Sequence, residues 1–279
     1  MQSQITKSTV ITWSIVWRAL SFLVLWGAVM AVFFVTSNSS SLDNRNAWVR
    51  LWFEAVPCIA MILAHLVMFG WIDKQTSRPP RHKKFTRDAL LGLFISLLWL
   101  GAIIGILRAI GALSWEIAPP ISLLPVWVIA AAINVAVQEY LVRGYLFTMI
   151  TKRANIVIAT VITTGLFVAL HKFQGGVVGV LNVTMASLLF TVLLVRTGSI
   201  IAPIIAHATW NVIGAIVLGV VSLGGHYPEI LHAVITRPGI ISGGTLIIEG
   251  SPVTLVVTTL LVIGLIAFLP KCQTKTTNQ

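Results

Sequence analysis

The sequence predicts an all-α polytopic membrane protein with about eight transmembrane helices. Apolar residue types make up 57% of the 279 residues and charged types only 10%, whereas a soluble domain carries about 25% charged residues. The apolar residues form runs close to the roughly 20 residues that a spanning helix needs. Short polar, proline- or glycine-containing segments separate these runs. This pattern excludes a soluble globular enzyme, a disordered tail and a coiled coil.

Eight apolar segments are candidates for spanning helices. They cover approximately residues 19–35, 51–72, 89–107, 121–147, 155–170, 177–195, 200–221 and 253–269. We expect the first to be a retained helix rather than a cleaved signal peptide, because a long polar region precedes it and no small-residue cleavage site follows. The glycine-rich segment 222–251 is predicted to be a flexible or re-entrant outer loop.

The distribution of basic residues predicts the orientation. If the spans alternate, thirteen of the nineteen Lys and Arg residues lie on one side, five lie on the other, and Arg143 lies inside a span. The positive-inside rule then places the basic loop 73–88 and both termini in the cytoplasm, and we expect a bacterial cell membrane. The net charge of +11 is assigned to loops at an anionic lipid surface, so no nucleic-acid partner is expected.

Ionisable side chains inside spans are functional candidates, since each costs roughly 2.5–3.5 kcal/mol on insertion scales. Two pairs are four residues apart and share a helix face: Glu139 with Arg143, and His207 with Asn211. Each pair also has a structural interpretation, as a buried ion pair or as interhelical hydrogen bonds. The other intramembrane polar residues are Glu54, His65, Asn134, Gln138, His171 and Asn182. Of these, Glu54 and His65 are interpreted as structural.

Three ordered segments carry a family resemblance. They are Gln138-Glu139-Tyr140-Leu141-Val142-Arg143-Gly144, Phe167-Val168-Ala169-Leu170-His171 and His207-Ala208-Thr209-Trp210-Asn211. Together they resemble the signature of the CPBP family, the CAAX prenyl proteases and bacteriocin-processing proteins: E-E-x-x-x-R, F-x-x-x-H, and H-x-x-x-N or B on successive membrane helices. The resemblance covers about residues 121–214. It implies a CAAX-protease-like bundle in one domain, with residues 1–120 as helices one to three and their basic loop, 121–221 as the catalytic core of helices four to seven, and 222–279 as the outer loop and eighth helix.

The resemblance also implies an activity and its residues. An intramembrane endopeptidase of this type would activate water with Glu139 and His171, hold Glu139 with Arg143, and stabilise the oxyanion with His207 and Asn211. The family's first glutamate is Gln138 in this chain, and an amide cannot accept a proton at neutral pH. Either Glu139 supplies the base and Gln138 positions water or substrate, or this chain is a weak or inactive protease.

Alternatives remain open on cofactors and on function. Glu139, His171 and His207 would satisfy the ligand count of a catalytic zinc ion, but no H-E-x-x-H helix is present, so a metal-free reaction is favoured. The expected partners are a peptide or protein substrate at the membrane and the lipid bilayer. A non-catalytic bacteriocin-immunity or regulatory protein on the same fold is the main alternative function. A small transporter or channel is the third, without visible inverted repeats.

Overall fold

The computed structural model describes residues 2–37, 42–43, 45–74, 84–173, 175–223, 227–236 and 239–270, with side chains described from residue 13 onward. Most of the predicted basic loop lies outside the described residues. The same holds for several basic side chains used to predict the orientation: Lys7, Arg78, Arg81, Lys83, Arg237, Lys271 and Lys275.

The structure is predominantly helical, which confirms the all-α polytopic class. In chain order its elements are α1 (Gln2–Thr36), α2 (Ala47–Val67), α3 (Phe85–Ala109), β1 (Leu113–Ile117), α4 (Leu124–Glu139), α5 (Phe147–Arg153), α6 (Ile156–Leu170), α7 (Gly176–Thr197), α8 (Ile201–Asn211), β2 (Leu231–Ile235), α9 (Gly239–Ser242) and α10 (Pro252–Phe268). Short π-helical turns extend α2 (Met68–Ile72), α4 (Tyr140–Leu146) and α8 (Val212–Val217), and a 3₁₀ segment (Gly244–Gly250) precedes α10.

Two compact units divide the chain. The first consists of Met1–Pro79, Ile121–Leu166 and Gly224–Pro228. In it, α2 packs against α1 and α4. The Asn46 side chain caps α2 by accepting from the backbone N–H groups of residues 48 and 49, which satisfies two donors that a helix start leaves unpaired.

The second unit consists of Pro80–Pro120, Phe167–Leu223 and Glu229–Gln279. Its α8 packs against α3 and α7, and its α10 packs against α7 and α3. Ser251 caps α10, and a proline follows at the first helical position, where its missing N–H has no cost. The unit also contains an antiparallel pair, β1–β2, with Trp115 opposite Ala233, which the sequence analysis does not predict.

The described residues contain fewer full-length spans than the eight predicted. Five segments are long and apolar enough: Trp13–Thr36, Ala47–Ile72, Phe85–Ala109, Leu124–Arg153 and Gly176–Thr197. A sixth would combine Gly239–Gly250 with α10 across a bend of 60°. The predicted fifth and seventh spans correspond to Ile156–Leu170 and Ile201–Val217, apolar helices of no more than 17 residues. These fall short of the roughly 20 residues of a full span.

The segment predicted as an outer loop is structured over much of its described length. It contains β2, α9 and the 3₁₀ segment. Gly243 adopts φ +87° at the turn between α9 and the 3₁₀ segment, and a Cβ there would lie 2.7 Å from the backbone nitrogen of Ser251. Glycine is therefore required at this turn, both by its backbone conformation and by the close approach. The bend before α10 agrees with either a broken span or a re-entrant segment.

Gly92 sets the distance between α3 and α8, the helix that carries the third motif. A Cβ at Gly92 would clash with the backbone carbonyl of Ala202 and lie 3.2 Å from the backbone nitrogen of Ala206. We expect Gly92→Ala to lower the free energy of unfolding by about 1–3 kcal/mol, because backbone atoms cannot move aside as a side chain would. Gly105→Ala on the same helix is the control, since a Cβ there meets nothing within 4 Å. Equal unfolding midpoints for the two variants in detergent would contradict this prediction.

Candidate active site

The first motif is a fully buried ion pair. The Arg143 Nη1 atom donates to both Glu139 carboxylate oxygens at 2.8 Å each, and both side chains have 0% exposure. Glu139 is the last residue of α4, and Arg143 lies in the π turn that follows. π turns in α-helices often occur at functional sites. The prediction that these two residues share one helix face is confirmed.

Gln138 belongs to a different polar network, which extends to α2. Its Nε2 donates to Asn134 Oδ1 at 2.6 Å, and Asn134 Nδ2 donates to Glu54 Oε2 at 2.8 Å. Glu54 forms an ion pair with Arg50, and its Oε1 accepts from the Tyr227 hydroxyl at 3.4 Å. The residue in place of the family's first glutamate is therefore linked to a carboxylate of another helix.

An apolar cavity borders the same part of α4. It has a volume of about 530 Å³ and is lined by residues of α2, its π turn and α4, among them His65, Val137 and Tyr140. The His65 Nδ1 atom lies 2.8 Å from the backbone carbonyl of Met61. The ring packs edge-on against Phe22 with centroids 5.1 Å apart. These contacts agree with the structural interpretation of His65, and the cavity could accept an apolar group close to the first motif.

His171 lies at the C-terminal end of α6. Its Nδ1 is 2.8 Å from the backbone carbonyl of Phe167, so Nδ1 carries the proton and Nε2 is the acceptor in the neutral ring. The imidazole also packs against the Phe167 ring, with centroids 4.5 Å apart. Lys172 and Phe173 follow with φ of +56° and +52°, and this left-handed conformation ends the helix. The second motif thus holds its histidine in one tautomer.

The third motif lies on α8 and is buried. His207 is 4% exposed and Asn211 is 6% exposed. The His207 ring stacks on Phe190 with centroids 4.8 Å apart, and it lies 5.7 Å from the Phe167 ring. Phe167 therefore contacts the histidines of both the second and the third motif. Next to Asn211, Trp210 stacks on Trp99 at 3.7 Å, which fixes this end of α8.

The six predicted site residues thus fall into three groups. Glu139 and Arg143 are paired, and Gln138 is bonded to Asn134, all in the first unit. His171 and His207 lie around Phe167 in the second unit, which also contains Asn211.

The half-buried carboxylate of Glu249 lies beside the third motif and is not among the residues singled out from the sequence. Glu249 accepts a hydrogen bond from the backbone N–H of Ser222 at 2.9 Å and another from the Trp210 side chain. The Asn182 Nδ2 atom donates to the backbone carbonyl oxygen of Glu249 at 2.8 Å. Glu249 lies in the predicted outer loop, outside the predicted spans. An isolated acidic residue directly after the apolar run 246–248 is the available signal.

The zinc alternative involves residues of both units, with Glu139 in the first and His171 and His207 in the second. Among the described residues, no group of three or more His, Cys, Asp or Glu side chains is placed to hold a metal ion. A catalytic zinc ion needs three protein ligands, and the reaction proposed below uses only protein side chains and water.

Comparison with known proteins agrees with these features. The fold and the buried polar motifs define a polytopic α-helical membrane protein. Residues 120–213 match the family model described as type II CAAX prenyl endopeptidase Rce1-like, and the resemblance to the CAAX protease family is thereby confirmed. No curated protein and no solved structure matches the chain.

Proposed function

We propose that this protein is an intramembrane endopeptidase that hydrolyses peptide bonds with water activated by Glu139 and His171. The fully buried Glu139–Arg143 pair, at the family's motif position, carries the proposal. An ionised carboxylate can accept a proton from water, and the two hydrogen bonds from Arg143 fix the orientation of the Glu139 side chain.

The proposed reaction follows from the groups in the three motifs. Water gives a proton to Glu139 as its oxygen attacks the peptide carbonyl carbon, and the Nε2 acceptor of His171 helps to orient that water. The carbonyl oxygen becomes an oxyanion, to which His207 and Asn211 would donate hydrogen bonds. The C–N bond then breaks, and Glu139 returns the proton to the departing amine.

A non-catalytic role is the second candidate, and Gln138 is the observation that favours it. The family pattern has a glutamate there, and a carboxamide cannot serve as a base. On this hypothesis the protein binds a peptide at the membrane, as an immunity or regulatory protein would, without cleaving it. Cleavage by the wild-type protein would rule out this alternative.

The proposed location is a bacterial cell membrane with both termini in the cytoplasm. The excess of basic residues on one side of the predicted spans supports this orientation. Terminal fusions to green fluorescent protein and to alkaline phosphatase test it, because the first is fluorescent only inside such a cell and the second is active only outside. Alkaline phosphatase activity at either terminus would overturn the proposed orientation.

The test of the proposed function is a cleavage assay in liposomes with a mixed peptide library, read by mass spectrometry with and without a chelator. We expect wild-type cleavage that survives chelation. His207→Gln should lower the rate by about 10²–10³-fold, the usual cost of one oxyanion donor. His232→Gln is the matched control, because His232 is an exposed histidine that pairs with Glu229 and lies outside the three motifs. No wild-type cleavage, or equal rates for both variants, would contradict the proposal.

A further inference from the structure

The hydrogen-bonded chain from Glu54 to Gln138 has a fixed direction. A carboxylate only accepts hydrogen bonds, whereas a carboxamide has one accepting and one donating end. Glu54 Oε2 therefore draws the NH₂ group of Asn134 towards itself. The Asn134 oxygen then faces Gln138 and draws its NH₂ group. The orientation of both amides follows from the single carboxylate on α2.

This direction leaves the Gln138 oxygen as the free end of the chain. The Oε1 atom is buried and has no hydrogen-bond partner among the described residues. A buried acceptor without a protein partner is costly unless a donor from water or a ligand reaches it. Gln138 directly precedes the proposed base Glu139 in α4, so this acceptor belongs to the same turn of the helix.

The carboxylate of Glu54 is itself held in place. It is 5% exposed, it pairs with Arg50 on the preceding turn of α2, and it accepts from Tyr227. The Arg50 guanidinium lies over the Tyr227 ring, 4.6 Å from its centroid. Glu54 therefore serves as a fixed, acceptor-only end of the network.

We propose that Glu54 is a positioning residue for the first motif: it acts through Asn134 to hold Gln138 as a hydrogen-bond acceptor for the attacking water or the substrate N–H. In this protein the carboxylate that the motif lacks is thus placed on α2, two hydrogen bonds away. The positioning of substrate or water rests on the proposed function, whereas the directional network does not.

The network predicts that Gln138→Glu, which introduces the family's glutamate, destabilises the protein when it is made alone. In Gln138→Glu, a carboxylate oxygen meets the Asn134 oxygen. If Asn134 rotates to donate to the new glutamate, its oxygen then meets Glu54. In either arrangement two hydrogen-bond acceptors face each other, and the substitution adds a second negative charge to a buried network.

Moving the carboxylate removes this conflict. In the double variant Glu54→Gln/Gln138→Glu, the new amide at position 54 donates to Asn134, and Asn134 donates to the new carboxylate. Both hydrogen bonds persist in the reverse direction, and the total charge is unchanged. The amide oxygen at position 54 still accepts from Arg50 and Tyr227.

The experiment compares wild type, both single variants and the double variant in the same detergent. We expect Gln138→Glu to lower the unfolding midpoint by roughly 5–10 °C and the double variant to recover more than half of that loss, a strong non-additivity. Glu229→Gln is the control, since Glu229 pairs with an exposed histidine. Additive losses, or a double variant that accumulates no better than Gln138→Glu, would overturn the directional network.

Enzyme kinetics test the proposed positioning role of Glu54 separately from the stability of the network. Glu54→Gln allows both orientations of Asn134 and Gln138, so we expect kcat to fall several-fold with little change in KM, while the double variant regains cleavage. If the double variant recovers stability but the wild-type protein cleaves no peptide, the directional network is supported and the proposed protease activity is refuted. Wild-type cleavage that is unchanged by Glu54→Gln would refute the positioning role alone.

Discussion

Replacing Glu139 by glutamine is expected to lower kcat by about 10²–10⁴-fold, the usual contribution of a general base. The carboxamide matches the carboxylate in size and keeps one oxygen for the Arg143 Nη1 atom, so the turn after α4 should persist. It cannot accept a proton from water. Because binding does not depend on that proton, KM should change far less than kcat. Single-turnover cleavage of one identified peptide measures both.

Two further variants make this result specific. Glu116→Gln changes an exposed glutamate of β1 and should cleave like wild type. Glu249→Gln changes the carboxylate beside the third motif, which accepts from Trp210. Full activity in Glu139→Gln together with loss in Glu249→Gln would transfer the role of base to Glu249 and contradict the proposed mechanism.

Replacing Arg143 by methionine is expected to destabilise the protein by about 3–5 kcal/mol, the usual cost of removing one partner of a buried ion pair. Both side chains have 0% exposure, so the change leaves the Glu139 carboxylate in an apolar interior without its counter-charge. Methionine has a similar length and leaves little empty space. Reversible unfolding in mixed micelles, monitored by circular dichroism, measures the loss.

The double variant Glu139→Gln/Arg143→Met separates lost charge from lost packing. It contains no unpaired charge, so it should be clearly more stable than Arg143→Met alone. Arg45→Met is the control at an exposed position, with an expected change within about 0.5 kcal/mol. A loss in Arg143→Met no larger than in Arg45→Met would show that the pair does not stabilise the fold.

Much of the fold and part of the candidate site follow from local sequence patterns. Four-residue spacing placed Glu139 on the face of Arg143, because such residues are neighbours on any regular helix. Composition predicted the membrane class, but it overestimated the lengths of α6 and α8. Both are apolar throughout, and a run of apolar residues alone does not show where a helix ends.

The remaining features depend on contacts between distant segments. Glu54 was interpreted as structural because it lies near the boundary of its predicted span. Its link to Gln138 passes through Asn134, eighty residues away from Glu54. Asn134 and Gln138 are four residues apart and bonded to each other, but such a spacing does not show what the shared face contacts. Glu249 is placed beside Trp210 by the bend before α10, which no pattern in the sequence indicates.

The pairing of β1 with β2 constrains how the protein is made. Leu113 of the first strand pairs with Ile235 of the second, so every helix from α4 to α8 is translated between the two partners. At about 5–20 residues per second, the ribosome needs roughly 6–24 s to cover that interval. Throughout this time β1 is an unpaired strand edge, which readily pairs with other chains. The motif-bearing helices are therefore all synthesised before the strand pair can close.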